Sequence, residues 1–294
     1  MKKIILILAV VLIAFSTKQA LAACPSADLT GDCKIDFDDF AVLVSQWLDE
    51  GVPEPNGMVW EDINDPGVSG HEGFIGEMSK YETTNAQYCQ FLNTAFATGD
   101  VVVDGNYVKG ADGSNSGVDF VGQTYYYLAG IGYTYNGATS GGAARINFSG
   151  GAFTVDSSFD NHPVTYVSWY GSTAFCNYYG YRLPTEWQWQ AVADYDGSYT
   201  YGCGTTINNN IANYYGSTHP DGTTVVGSFG TYGYGMCDMT GNVLEWTDSL
   251  YLSGSNRIIR SSHWYNGAIY CTVEWWNIGN PLNTNYTVGF RVCR

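Results

Sequence analysis

Basic side chains are scarce in this chain. Lys and Arg total 12 against 28 Asp and Glu, a formal charge of −16, so a phosphate backbone is repelled and nucleic acid is not an expected partner. There are only four histidines, at positions 71, 162, 219 and 263, and no metal-ligand spacing connects them. A GxSxG turn for a hydrolase serine is missing, and the glycines do not follow the strand pattern of a dinucleotide site. Charged residues make up 14% of the chain, too few for many long amphipathic helices. Past the N-terminal leader no apolar run reaches membrane length, so no transmembrane segment is expected there.

What is abundant is glycine, 36 residues, and tyrosine, 24, within a chain that is 45% hydrophobic. At 294 residues this suffices for one large domain and a small one. Such a balance suits a loop-rich fold whose surface is polar through Asn, Ser, Thr and Tyr. The aromatic side chains serve either as core and hairpin pairs or as rigid faces with a hydrogen-bonding tip.

Lys2 and Lys3 precede an apolar run from Ile4 to Phe15, and Ala20-Leu21-Ala22 forms a small-residue cleavage site. Residues 1–22 therefore read as a signal peptide, and the protein is expected to be exported, whether secreted, periplasmic or at the cell surface. Leu21-Ala22-Ala23-Cys24 also fits a lipoprotein box that would acylate Cys24, although Lys18 interrupts the approach to it. Export places the eight cysteines in an oxidising compartment where disulfides form. Cys203 and Cys237 flank one loop-rich segment, and Cys24 and Cys33 bracket another.

That second segment, DLTGDCKIDFDD, sets oxygen side chains at loop positions 1, 3, 5, 9 and 12: Asp28, Thr30, Asp32, Asp36 and Asp39. Lys34 at position 7 would offer its carbonyl, and FAVLVSQWL (Phe40 to Leu48) would supply the helix behind. The spacing wraps a hard cation in oxygen, as in an EF-hand-type loop, so Ca2+ is the expected occupant. Residues 24–50 resemble one repeat of a dockerin, with Cys33 replacing the usual glycine and no second repeat following. The resemblance implies a cohesin partner, and the missing repeat counts against it. GVPEPNG, residues 51–57, reads as a linker stiffened by two prolines.

The rest, residues 58–294, forms the large domain. A capped helix is expected in YETTNAQYCQFLNTAF, starting near Thr84 or Asn85 with Tyr88, Phe91 and Leu92 on one face. A second is expected from Tyr170 to Tyr179, and a third from Thr185, an N-cap after Pro184. INFSGGAFTV (Ile146 to Val155) reads as a hairpin, and the remainder of 99–160 as mostly turns. The class is α+β with little regular structure.

RLPTEWQWQ (Arg182 to Gln190), GYGMCDMTGNVLEWT (Gly233 to Thr247) and the final GFRVCR form a fixed succession, joined by KYETTNAQYCQFLN and NHPVTYVSWYGSTAFCNYYG upstream. Together they resemble the formylglycine-generating-enzyme, or sulfatase-modifying-factor, family. The resemblance implies a C-type-lectin-like fold and a disulfide between Cys176 and Cys293. It also implies calcium at two places: one using Gly241, Asn242, Val243 and Glu245, the other Asn213, Tyr214, Asp221 and Thr223. The enzymes hold one Cu(I) between two cysteines and oxidise a sulfatase cysteine with oxygen. Here Cys271 stands where the second cysteine belongs, Asn266 where the first belongs, and His263 where the enzymes carry serine. The catalytic set would be Cys271, Trp246 and Tyr270, with His263 as a substitute copper ligand.

Losing one of two soft ligands removes most of the affinity for Cu(I). The scaffold blocks are kept and the departures gather where the groove should open, a pattern expected of an inactive domain. The same stretch is dense in side chains suited to capturing a protein or glycan: Trp264, Tyr265, Asn266, Ile269, Trp275 and Trp276, then Asn277, Asn280, Asn283, Asn285 and Tyr286. It also resembles the variable segment of retroelement-diversified binding proteins. Ligand binding is therefore the leading expectation. The alternatives are a formylglycine-generating oxidase and a dockerin-linked component of polysaccharide degradation.

Overall fold

In the computed structural model, the described residues are 34–36, 39, 52–67, 72–113, 120–135, 138–140, 142–215 and 222–294. The chain divides into two units, Met1–Pro53 and Glu54–Arg294. Within the first, the Asp36 amide donates to the Asp39 carboxylate at 2.9 Å, and Asp39 is buried. The leader, Cys24, Asp28, Thr30, Asp32 and Cys33 lie outside the described residues. Among the described residues, no helix is long and apolar enough to cross a membrane.

Among its described residues the second unit carries three α-helices whose starts are written locally. In α1 (Asn85–Thr98) the Thr84 hydroxyl accepts from the Gln87 amide while the Gln87 side chain accepts from Thr84 N–H, closing a capping box; Gly99 ends the helix at φ 83°. Tyr88, Phe91, Leu92 and Ala95 follow the i, i+3, i+4, i+7 pattern and are buried. Ser168 caps α2 (Trp169–Tyr179), and Thr185 caps α3 (Glu186–Asp194) with a second box through Gln188.

Strands are short and paired mostly as hairpins. β1 (Trp60–Asp65) pairs with β2 (Phe74–Ser79). β3 (Val101–Asp104), β4 (Tyr107–Gly110) and β5 (Thr124–Tyr127) form a meander. β6 (Tyr133–Tyr135) pairs with β7 (Ala138–Ser140), and β8 (Ile146–Ser149) with β9 (Ala152–Val155) across Gly150-Gly151. The stretch expected to be mostly turns thus holds several further strands.

The four-stranded sheet that positions the site comes from the C-terminal third. It comprises β10 (Leu244–Leu250), β11 (Arg257–Arg260), β12 (Trp276–Gly279) and β13 (Val288–Gly289), in the order β12-β11-β10-β13. β13 lies parallel to β10, pairing Val288 with Leu244, and the other pairs are antiparallel. One aromatic core joins this sheet to the first two helices through Tyr88, Phe91, Phe175, Trp246 and Phe290. A smaller core gathers Ile63, Phe74, Met78, Trp189, Met236 and Met239.

Neither disulfide expected here is formed: Cys176, Cys203, Cys237 and Cys293 are free and buried. The Cys293 thiol points to the Arg182 carbonyl at 3.5 Å and that of Cys203 to the Thr206 carbonyl at 3.9 Å. Burial pushes both thiols up to about 12, so they behave as small apolar groups with a weak donor.

Candidate functional site

Two polar regions flank β10, and they differ in whether their hydrogen bonds are already made. The first is a buried centre around Arg291, whose side chain is fully enclosed. Its Nε donates to Glu245 Oε2 at 2.7 Å and Nη2 to Glu245 Oε1 at 2.9 Å. The remaining donors reach the carbonyls of Ser79, Lys80 and Cys237. Trp189 donates its indole N–H to Glu245 at 2.7 Å. Glu82 accepts from Asn242 Nδ2 at 2.6 Å and from Val243 N–H at 3.2 Å. Burial works to lower the Arg291 pKa, but the neighbouring carboxylates of Glu245, Glu82 and Asp238 outweigh it and raise it. Burial, then the charges of Asp238 and Glu245, hold Glu82 well above the carboxylate range. Burial also pushes Asp238 up to about 6.

This geometry corrects one expectation. Glu245 was to bind calcium with Asn242 and the carbonyls of Gly241 and Val243, yet both its oxygens face a guanidinium. Asn242 Oδ1 accepts from the Thr224 amide at 2.9 Å, and its carbonyl accepts from Trp264 N–H at 3.0 Å. These oxygens are turned on N–H donors with a fixed positive charge among them, so the set does not fit a cation. Gly241 serves close packing instead, since a Cβ there would sit 2.3 Å from the Asn213 carbonyl oxygen. In the second expected calcium set, Asn213 Nδ2 reaches the Gly222 carbonyl at 3.1 Å, which draws the segment containing Thr223 toward Asn213 and Tyr214. Asp221 lies outside the described residues.

The second polar region is a cavity of about 300 Å³ on the four-stranded sheet. Strand pairing builds its floor. Trp246 is opposite Ile259, Ile259 is opposite Asn277, and Leu244 and Gly279 stand two residues along from members of that row, so all share one face. The absence of a side chain at Gly279 keeps the floor closed, since a Cβ would come within 2.5 Å of the Trp246 ring and of Ile259. His263, Asn280, Asn283, Asn285 and Tyr286 form the rim and walls, with Ile278, Thr287 and Val288 between them.

Of the side chains expected to bind a ligand, Asn277, Asn280, Asn283, Asn285 and Tyr286 are brought together here. Trp246 and His263, expected for catalysis, join them. Trp246 is 2% exposed and its indole N–H donates to the Val167 carbonyl, so it acts as a wall. Trp264 is wholly buried, which corrects its placement on a surface, and its indole N–H has no partner. Tyr265, Asn266, Ile269, Tyr270, Trp275 and Trp276 lie outside the lining. Ile269 and Tyr270, in the short 3-10 turn Ala268–Tyr270, are exposed, and Trp276 packs on Tyr251. Leu244, Ile259 and Gly279 were missed from sequence because the pairing that joins them is non-local.

Cys271 is not part of the cavity lining. It is 2% exposed, accepts from the Ser262 hydroxyl at 3.1 Å, and points its thiol to the Gly267 carbonyl at 3.6 Å. Burial pushes it up to about 11, so with no metal beside it the thiol keeps its proton at neutral pH. His263, facing the cavity, has its Nδ1 engaged by the Tyr265 amide at 3.2 Å. His263 thus lines the cavity while Cys271 does not, and with His263 Nδ1 taken by an N–H donor the two do not form a ready copper pair. Among the described residues, no three His, Cys, Asp or Glu side chains form a metal-holding group.

Three capped helices, short hairpins and a small C-terminal sheet among long connections define a loop-rich mixed α/β domain of the C-type-lectin-like kind. The chain belongs to the family of the sulfatase-modifying factor enzyme 1-like domain, whose model matches residues 72–294. It is 31% identical over 173 residues to the serine/threonine-protein kinase pkn1 of Chlamydia caviae, covering 51% of this chain and 27% of that protein. It is 32% identical over 120 residues to the inactive C-alpha-formylglycine-generating enzyme 2 of Bos taurus, covering 36% and 40%. Against the formylglycine-generating enzyme of Thermomonospora curvata it is 34% identical over 99 residues, covering 29% and 33%. The chain thus spans between 27% and 40% of the length of these relatives. The solved structure of CarF superposes with a TM-score of 0.55 at 17% identity, covering 82% of this chain and 99% of that one.

Proposed function

We propose that the domain is a ligand-binding module that has kept the formylglycine-generating-enzyme scaffold without its oxidase chemistry, and that it works as an exported protein. The observation that carries this reading is the separation of Cys271 from the cavity: its thiol is buried against Ser262 and Gly267, while the polar walls open elsewhere. Asn266, in the place of the first copper cysteine, supplies no soft ligand. Calcium belongs to the same proposal, held by the N-terminal loop from Asp28 to Asp39 and by Asn213, Tyr214, Asp221 and Thr223. A bound cation would gather oxygens that neighbouring loops cannot pair with N–H groups.

The test is chemical. The protein is incubated with Cu(I), oxygen and a cysteine-containing sulfatase peptide, beside the Asn266→Cys variant, and aldehyde is sought by mass spectrometry. No aldehyde is expected from the unaltered protein. Aldehyde from it would overturn the proposal and make Cys271 a working copper ligand. Aldehyde from Asn266→Cys alone would support loss of one ligand on a competent scaffold.

A further inference from the structure

We infer that the cavity takes a neutral saccharide, held by side-chain N–H donors over a floor of aromatic and aliphatic carbon. The inference rests on the ligand-binding reading above and names the chemical class for it. Among the described residues, the lining contains no Asp, Glu, Lys or Arg. Its polar side chains are four asparagines, one histidine, Tyr286 and Thr287, and the bonds of three of the asparagines are one-sided.

Asn277 Oδ1 accepts from the Ile278 amide at 2.7 Å and Asn280 Oδ1 from the Leu282 amide at 3.0 Å. Asn285 Oδ1 accepts from the amide and the hydroxyl of Thr287, both at 3.0 Å. Each acceptor end is thus tied to the backbone just ahead of it, which fixes the side chain and leaves its NH2 group for a ligand. No side-chain bond engages Asn283 at either end. The Tyr265 amide donates to His263 Nδ1, so the neutral ring carries its proton on Nε2. Burial lowers the His263 pKa to about 4, which keeps the ring neutral at physiological pH.

Among the asparagine and histidine side chains the N–H groups left over therefore outnumber the open acceptors, and the described walls carry no charge. An anion would find N–H groups but no cation, in a chain of formal charge −16 that repels it. A cation would face donors. An apolar molecule would strand the amides without partners. A peptide brings as many N–H groups as carbonyls, so half its backbone would meet donor with donor. A sugar ring supplies ether and hydroxyl oxygens as acceptors and a C–H face for Tyr286 and Ile259. The volume of about 300 Å³ is at the small end of ligand sites, roughly 300–1,000 Å³, and suits a monosaccharide or disaccharide unit.

The full chain is titrated with neutral gluco-, manno-, galacto- and xylo-oligosaccharides, with sulfated and uronic-acid oligosaccharides, and with a library of uncharged peptides, read by saturation-transfer NMR and calorimetry. A neutral saccharide is expected to bind. Asn283→Ala should weaken it about tenfold, the effect of one lost hydrogen bond, with an unchanged unfolding midpoint. Asn283→Lys should admit the sulfated sugars. Binding of anionic sugars alone, or neutral binding that Asn283→Ala and Asn280→Ala leave untouched, would overturn the inference. Binding of peptides alone would overturn it while leaving the ligand-binding reading in place, and a panel in which nothing binds would overturn both.

Discussion

The Arg291 centre and the asparagine cavity adjoin the same strand, β10, yet they handle polarity in opposite ways. Around Arg291 every guanidinium nitrogen has a carbonyl or carboxylate, and both oxygens of Glu245 are taken. In the cavity the acceptors of Asn277, Asn280 and Asn285 are engaged and their NH2 groups are left over. A fully paired buried network fixes the fold; a half-paired open one is prepared for something else. The difference sets the open asparagines apart from the buried Cys271.

The sharpest way to break the comparison is to remove the charge from the paired side. Arg291→Met leaves Glu245, Glu82 and Asp238 buried without their cation, and should cost about 3–5 kcal/mol of stability in denaturant unfolding. Lysine should not restore it, because an ammonium cannot match the forked contact to Glu245. An unchanged midpoint would mean that the network is not what fixes the fold.

Calcium offers a second lever. If Asn213, Tyr214, Asp221, Thr223 and the Asp28–Asp39 loop hold cations, then calcium at a hundred times its dissociation constant stabilises by about 2.7 kcal/mol. A chelator should lower the thermal midpoint, and readdition should restore it. Glu245→Gln should leave that calcium dependence intact, since this carboxylate serves Arg291.

Asp238 gives a pH signature to the paired side. In the fold it keeps its proton up to about 6, against 3.8 when unperturbed. Between those values the folded chain binds more protons than the unfolded one, so this contribution to stability is full below about 3.8 and lost as pH rises through 6. Asp238→Asn can still accept from the Gly227 amide and removes the slope. Its stability relative to the unaltered protein should climb by about 2–3 kcal/mol between pH 4 and pH 7. Parallel curves would contradict the assigned cause.

On the open side the expected stability effect is smallest. Asn283 makes no side-chain hydrogen bond in the fold, so Asn283→Ala should stay within about 0.5 kcal/mol, whereas Asn285→Ala frees the Thr287 amide and should cost about 1 kcal/mol. Equal losses at the two positions would blur the distinction between anchoring and open asparagines.

The helices were legible in the sequence because their signals are local. Thr84 with Gln87, and Pro184-Thr185 with Gln188, span four or five residues, and Gly150-Gly151 closes its hairpin within ten. The cavity was half legible. Its asparagines stand out in the C-terminal segment, but the floor depends on Val288 meeting Leu244 and Ile259 meeting Trp246, pairings that no local pattern announces. The Arg291 centre was missed because Glu82 and Asn242 are 160 residues apart. One sign was present: an arginine inside the apolar GFRVC run of a chain with so few cations needs a buried counter-charge. Trp264 misled for the opposite reason, since composition does not distinguish a buried indole from a surface one.

The most direct test is a side-chain amide NMR titration of the full chain with a mixture of neutral disaccharides. The NH2 signals of Asn277, Asn280, Asn283 and Asn285 should move, while those of Asn242 and the Trp189 indole stay fixed. Static cavity signals, or movement confined to the Arg291 centre, would contradict the division between a paired scaffold and an open site.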